Sequence, residues 1–364
     1  MEVKDIVAKL EELAPPALQE SYDNSGLLVG EPNTVVTGVL VSLDVTESIV
    51  QEAINEGCNM IVSHHPIIFG GLKRLTGKNY VERTVMMALR NNIALYAIHT
   101  NLDNVMHGVN NRIADKLELG SREILKPIAG RLLKLVTFAP KSVYEKVLNA
   151  LFSAGAGHIG NYSECSFSLE GAGTFKGGEG TNPVVGKQGE RHTEDEFRIE
   201  VILPDHLQHA VLNALIKVHP YEEVAYDFYR LENSNQDRGA GMIGSLKEPQ
   251  EPMEFLKHLK KTFGSGAVRY TEPVSEVVKN VAVCGGSGSF LLSDAIRKGA
   301  DVFITGDFKY HQFFDAEDRI MIADIGHYES EQFTIGLLAE HLTVNFPNFA
   351  VRLTNQNTNP VKYL

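Results

Sequence analysis

Two adjacent imidazoles, His64 and His65, stand in the segment Cys58-Asn59-Met60-Ile61-Val62-Ser63-His64-His65-Pro66. Imidazole is a common ligand for divalent metals, and a pair of them is metal-capable without any cysteine. The apolar run before them reads as a buried strand over Asn59 to Ser63. Pro66 cannot continue a central strand, so both rings fall where a strand stops and a loop begins. In open α/β sheets that carboxyl edge is where ligands bind. Taken alone, the pair also has a plainer reading, with one ring exposed and the other satisfied in the core.

Three more candidates fall on the same kind of edge. Asp103 follows a strand over Ile93 to Ile98. His327 and Glu331 follow a strand over Arg319 to Ala323 and open a helix. Their i, i+4 spacing puts both on one helix face. On its own that pair reads as readily as a solvated helix surface. As a set, His64, His65, Asp103, His327 and Glu331 converge from three strand ends. Two or three histidines with two carboxylates suit Zn, Mn or Fe, and a bridging carboxylate suits two ions.

Other polar residues near this edge have open roles. His99 either orients Asp103 or packs. Asp307, Lys309 and His311 follow a strand over Asp301 to Thr305, and His311 is the candidate proton-transfer group. Asp23 and Asn24 either line the site or serve as turn residues. The loop Gly285-Gly286-Ser287-Gly288 joins a strand to a helix; it either cradles a phosphate with backbone N–H groups or makes a tight turn needing positive φ.

These edges need a scaffold. The first third alternates strand (Val35 to Leu43), helix (to about Glu56, capped by Thr46 and stopped by Gly57), strand, helix (Tyr80 to Arg90), strand, and helix (Val109 to Leu117). Such alternation predicts parallel strands with crossover helices. The pattern changes near Pro127. Arg131 to Phe138 reads as a strand, and Ser142 caps a helix to about Ser153. A glycine-rich stretch, Gly171 to Gly186, reads as a flexible hairpin. Phe197 to Leu203 is a strand, His206 to Val218 a helix, and Ala225 to Leu231 a strand, an order that is ferredoxin-like. Asn233 to Asp237 reads as a linker. The α/β alternation then resumes and ends in a long helix over Glu329 to Leu342 and a strand over Phe349 to Leu353. The expectation is a discontinuous α/β domain, residues 1–127 and 239–364, interrupted by an inserted α+β domain, residues 128–238.

Composition narrows the function class. The chain of 364 residues has 22% charged and 43% apolar residues and a net charge of −12, with no basic run, which argues against nucleic acid as partner. Cys58, Cys165 and Cys284 form no C-x-x-C pair, so neither a disulfide framework nor a cysteine zinc site is expected. No run approaches the ~20 apolar residues of a membrane span, and no signal-peptide core opens the chain. The expected location is the cytoplasm.

Four motifs together resemble the NIF-three-like dinuclear-metal family, often labelled GTP cyclohydrolase 1 type 2 homologues: Tyr22 to Gly30, Ser63-His64-His65-Pro66, His99-Thr100-Asn101-Leu102-Asp103 and Gly326-His327-Tyr328-Glu329-Ser330-Glu331. The resemblance covers essentially the whole chain. Gly171 to Gly186 and His219-Pro220-Tyr221-Glu222-Glu223 are similar to the PII/CutA-like insert of longer members. It implies an α/β fold of two halves with a ferredoxin-like insert. It also implies two divalent ions per subunit, zinc first with Mn or Fe as alternatives, held by His64, His65, Asp103, His327 and Glu331, with Glu331 as the bridge. A homohexameric ring is implied as well. Relatives commonly carry Gly-Glu where this chain has Gly306-Asp307, which leaves the role of Asp307 open. The function expected is metal-dependent hydrolysis of a nucleotide or phosphoester. The alternatives are a ligand-sensing oligomer without turnover and a scaffold with a structural metal.

Overall fold

A computed structural model describes every residue from Met1 to Leu364. The chain divides into two compact units, Met1–Lys126 with Asp237–Leu364, and Pro127–Gln236. In chain order the first segment carries α1 (Val3–Leu13), β1 (Gly26–Val29), β2 (Val39–Ser42), α2 (Glu47–Asn55), β3 (Met60–Ser63), α3 (Tyr80–Arg90), β4 (Ala94–Ala97), α4 (Thr100–Asp103), α5 (Val109–Lys116) and β5 (Gly120–Ala129). The middle segment carries β6 (Leu132–Pro140), α6 (Tyr144–Ser153), β7 (Ser166–Lys176), β8 (Arg191–Pro204), α7 (Gln208–Val218) and β9 (Tyr226–Leu231). The last carries β10 (Ser234–Gln250), α8 (Pro252–Phe263), β11 (Arg269–Tyr270), β12 (Val278–Ser287), α9 (Leu292–Arg297), β13 (Val302–Gly306), β14 (Met321–Asp324), α10 (His327–Glu331), α11 (Thr334–Asn345) and β15 (Val351–Leu353).

In the larger unit, β2, β3 and β4 lie parallel and every residue in them is buried. That explains their unbroken apolar runs, since strands covered on both faces lose the alternation of half-exposed ones. Ser42 pairs with Ser63, and Ser63 with Ala97. The three strands therefore end level, and Asp44, His64, His65 and His99 leave from one edge. The second sheet repeats the device: β12, β13 and β14 are parallel, with Thr305 paired to Asp324. Each half lends the other a strand. The C-terminal β15 pairs with β2, and β5 lies beside β10 in the second sheet. One apolar cluster joins Val41, Val62 and Tyr96 of the first sheet to Val283, Ile304 and Ala323 of the second, through Ile113 and Leu338 of α5 and α11. No helix is long and apolar enough to cross a membrane.

The smaller unit is a four-stranded antiparallel sheet in the order β7-β8-β6-β9, with its own core of Leu135, Leu151, Ile199 and Leu215. With its two helices this is the ferredoxin-like arrangement expected.

Several local expectations change. Ser142 does not cap α6; it lies in a 3-10 turn, and α6 begins at Tyr144 with no side-chain cap. Much of the glycine-rich stretch is strand, because Gly171 to Lys176 pair with Arg191 to Glu196. The residues read as a linker run into β10, from Ser234. The long C-terminal helix is broken at Gln332 and Phe333, where the Gln332 amide donates to the Phe263 carbonyl at 2.8 Å and Phe333 packs on Phe263.

The turn after β4 is held from inside. Asn101 is fully buried; its Oδ1 accepts from the His99 N–H at 2.9 Å and its Nδ2 donates to the Ala14 carbonyl at 2.7 Å. Asn101→Ala strands one donor and one acceptor, and is expected to lower the unfolding free energy by about 2–4 kcal/mol in urea titrations. An unchanged midpoint would contradict this account of the turn.

Candidate metal centre

The backbone ladder carries the histidine pair past the end of β3: the His64 N–H donates to the Ser42 carbonyl at 3.3 Å and the His65 N–H to the Leu43 carbonyl at 2.9 Å. His64 is fully buried. Asp103 ends α4, the short helix that follows β4. His327 opens α10 after a turn at Gly326, whose φ is +97° and whose N–H donates to Asp324 Oδ1 at 3.0 Å. The first turn of α10 thus starts at the end of β14, and Glu331 follows one turn later, 3% exposed.

Side chains from these three sources meet around the Glu331 carboxylate. One oxygen, Oε1, lies 3.7 Å from His64 Nε2, which is itself 3.7 Å from Asp103 Oδ1. The other, Oε2, lies 2.9 Å from His65 Nε2 and 3.1 Å from His327 Nε2, and these two nitrogens are 3.3 Å apart. Ligand atoms about 2.0–2.1 Å from one zinc ion in a tetrahedral array stand roughly 3.3 Å apart. Two triads, His64–Asp103–Glu331 and His65–His327–Glu331, thus share one carboxylate, and a third close group, His64–His65–His99, adjoins them. His64 Nε2 and Asp103 Oδ1 are buried and have no hydrogen-bond partner. Buried polar atoms are rarely left so, and two of them facing each other across 3.7 Å fit a cation as common partner.

The electrostatics follow from the packing. Burial raises the Glu331 carboxyl, but the His327 and His65 charges outweigh it and hold Glu331 well below the usual carboxylate range. Burial lowers both rings, yet the Glu331 charge and their carboxylate hydrogen bonds push His65 up to about 10 and His327 up to about 11. Asp103 goes the other way, raised to about 7 by burial and then by the Glu331 charge.

An outer layer fixes each ring. His65 Nδ1 is 2.7 Å from Asp44 Oδ1, His327 Nδ1 is 2.7 Å from Asp307 Oδ2, and His64 Nδ1 is 2.8 Å from the Ile98 carbonyl. Each contact turns Nε2 toward the centre, the arrangement that orients metal-binding histidines. Asp44 lies just past the end of β2, and that position is its one signal in the sequence. Asp307 sits at φ +58°, a conformation that Asp tolerates better than most residues, and so aims its short carboxylate at His327.

His99 does not orient Asp103. Its Nδ1 is 2.7 Å from Asp23 Oδ1, and its ring stands 5.3 Å from His64 and 5.4 Å from His65 between centroids. Asp23 also accepts from the Thr100 N–H and hydroxyl and from Ser25 Oγ. Asn24 donates to the Ile68 carbonyl at 2.6 Å. His311 is exposed in the 3-10 turn Tyr310–Ala316, against Tyr310 and Phe314, and does not line the cavity over the cluster. The glycine loop is the tight turn, with Gly286 at φ +62°. Its N–H groups are already engaged: Gly285 with Asn110 Oδ1, Gly286 with Ser330 Oγ and Gly288 with Thr305 Oγ1. They are not free to cradle a phosphate. A Cβ at Gly286 would overlap the Glu331 carboxylate, so the loop lets β12 approach the carboxylate closely.

The cluster opens into a cavity of about 770 Å³ whose lining includes His99, Asp103 and Glu331, with Tyr22, Phe69 and Phe290 as apolar walls.

The raised rings have a measurable consequence. Ligation requires unprotonated Nε2 atoms, whereas His65 and His327 hold their protons to about 10 and about 11. Zinc uptake by chelator-stripped protein at pH 7 is therefore expected to release at least about two protons, from His65 and His327 with a further fraction from Asp103, and to weaken as pH falls. Calorimetry in buffers of differing protonation enthalpy reads both. Uptake with no proton release would overturn the assignment of these rings.

Comparison with known proteins gives the chain a family. Residues 1–360 match the family described as Duf34/NIF3 (NGG1p interacting factor 3). A Bacillus subtilis protein named "GTP cyclohydrolase 1 type 2 homolog" is 39% identical over 366 residues, 99% of this chain and 98% of the relative. A Halalkalibacterium halodurans protein of the same name is 43% identical over 324 residues, 88% and 87% of the two chains. The crystal structure of a Bacillus cereus protein related to NIF3 superposes with a TM-score of 0.87 at 38% identity, covering 100% of this chain and 99% of that one. This chain belongs to the Duf34/NIF3 family.

Proposed function

We propose that the chain binds two divalent cations, zinc first among them, through His64, His65, Asp103, His327 and Glu331, and uses them to hydrolyse a nucleotide or phosphoester. The observation that carries this reading is the division of Glu331, whose two oxygens face different triads. When bound, a pair of ions supplies Lewis acidity and lowers the pKa of a water toward ~7. The chain's own groups do the rest. Asp44 and Asp307 keep the His65 and His327 Nε2 atoms pointed inward. The cavity admits a molecule larger than water, and the exposed faces of Tyr22, Phe69 and Phe290 suit a planar base. The names of the curated relatives point to a purine nucleotide.

His99, tied to Asp23 and lining the cavity, replaces His311 as the group suited to hold or pass a proton. The exposed aromatic side chains Tyr310 and Phe314 suit burial against another copy in a homohexamer. The cytoplasm, where Cys58, Cys165 and Cys284 stay as thiols, fits this reading. A second reading, ligand sensing without turnover, is favoured by the separately cored inserted unit.

Metal analysis of the purified protein, followed by a nucleotide and phosphoester screen, tests the proposal. Wild type is expected to carry two ions per chain and to turn over one of these substrates. Glu331→Gln is expected to lose at least one ion, and His65→Ala to lower turnover by more than the roughly 10–100-fold typical of outer-layer changes. Equal turnover by wild type and His65→Ala would refute a catalytic role. Full loading with no turnover of any substrate would leave the sensing reading in its place.

A further inference from the structure

The inserted unit holds a second cavity, remote in sequence from the metal cluster and independent of its chemistry. Its volume is about 510 Å³, within the range of small-molecule sites. Phe138, Phe175 and Tyr221 line it, with Gly173 and Glu196 on neighbouring strands, and the Arg198 guanidinium stands 5.9 Å from the Phe138 ring centroid. Phe175 and Tyr221 stand 6.2 Å apart between ring centroids.

Glu196 is the unusual member. It is only 9% exposed. One carboxylate oxygen accepts from the Tyr221 hydroxyl at 3.0 Å, and that is the only hydrogen bond the side chain makes. No Lys, Arg or His forms an ion pair with it. Charged carboxylates this buried are normally paired. The second oxygen lies beside Gly173, where any Cβ would overlap it. Glycine at this strand position therefore keeps room for the carboxylate against β7.

The frame around it is rigid. His219 Nε2 is 2.9 Å from the Phe138 carbonyl, and its Nδ1 accepts from the Tyr221 N–H at 3.2 Å. The Glu222 side chain accepts from the Asn182 N–H at 3.0 Å. The segment His219-Pro220-Tyr221-Glu222-Glu223 and the glycine-rich stretch are thereby pinned together, which gives both motifs a common purpose. Glu222 and Glu223 add negative charge to the lining, against Lys176 alone.

We infer that this cavity is a binding site for a small organic cation, an ammonium or guanidinium group on an apolar body. The charged group would pair with the open oxygen of Glu196, and the body would lie against Phe175 and Tyr221. A carboxylate and aromatic faces together favour a cation over a neutral or anionic ligand.

The test uses the full-length protein and three probes: benzylamine, benzamidine and the neutral benzyl alcohol. Ligand-observed NMR titrations measure their affinities for wild type, Glu196→Gln and Gly173→Ala. The two cations are expected to bind wild type at least about tenfold more tightly than the alcohol. Glu196→Gln is expected to abolish that preference while leaving the alcohol unchanged, with thermal unfolding showing the variant folded. Gly173→Ala, which displaces the carboxylate without removing charge, is expected to weaken both cations. Equal affinity for cations and alcohol in wild type, a preference that survives Glu196→Gln, or no cation binding at millimolar concentration would each overturn the inference. None of these outcomes depends on metal content or turnover.

Discussion

A buried carboxylate is the constraint on which the larger unit turns. Glu331 is 3% exposed, and an ion in that position is tolerable only when opposite charge surrounds it. The charged rings of His65, on the first sheet, and His327, on its own helix, do so, while His64 Nε2 faces the other carboxylate oxygen at 3.7 Å. Those rings would in turn wander or flip without Asp44, Asp307 and the Ile98 carbonyl behind them. The site is therefore a nested set of charges, each layer stabilised by the next one outward. Removing one member leaves its neighbour uncompensated, not simply absent.

Meeting this constraint requires backbone precision that single residues cannot supply. The level ends of β2, β3 and β4 bring Asp44, the histidine pair and His99 to one edge. On the other sheet, Gly326 makes the turn into α10, and Gly286 and Gly306 leave space that a side chain would fill. A Cβ at Gly306 would come within 2.8 Å of the His327 backbone nitrogen. The glycines are thus steric permissions for close approach, and at Gly286 the N–H and carbonyl are already engaged by Ser330 and Thr305.

Much of this could be read before any coordinates. Short, mostly apolar runs mark the parallel strands and their carboxyl edge, and they place His64, His65, Asp103, His327 and Glu331 along it; the resemblance to a metal-binding family is what implied them as one ligand set. The ferredoxin-like order of the insert was readable for the same reason, with helix and strand periodicities alternating cleanly. What escaped reading depended on pairing across long separations. Asp44 and His65 are brought together by strand register, and nothing local to Asp44 distinguishes it from an ordinary loop acid. Asp23 and His99 are joined likewise. His311 looked favourable because it shares a segment with Asp307, yet the 3-10 turn sends its ring outward. The glycine-rich stretch, read as a flexible hairpin, does lie in one, with Gly171 and Gly173 paired across strands in β7.

The inserted unit departs from the second sheet after β5 and returns to it through β10, and these two strands are neighbours there. Entry and exit therefore share one hairpin-like doorway. The parallel ladders that position His64, His65 and His327 run entirely outside the insert, so a longer or shorter module between β5 and β10 would leave their register intact.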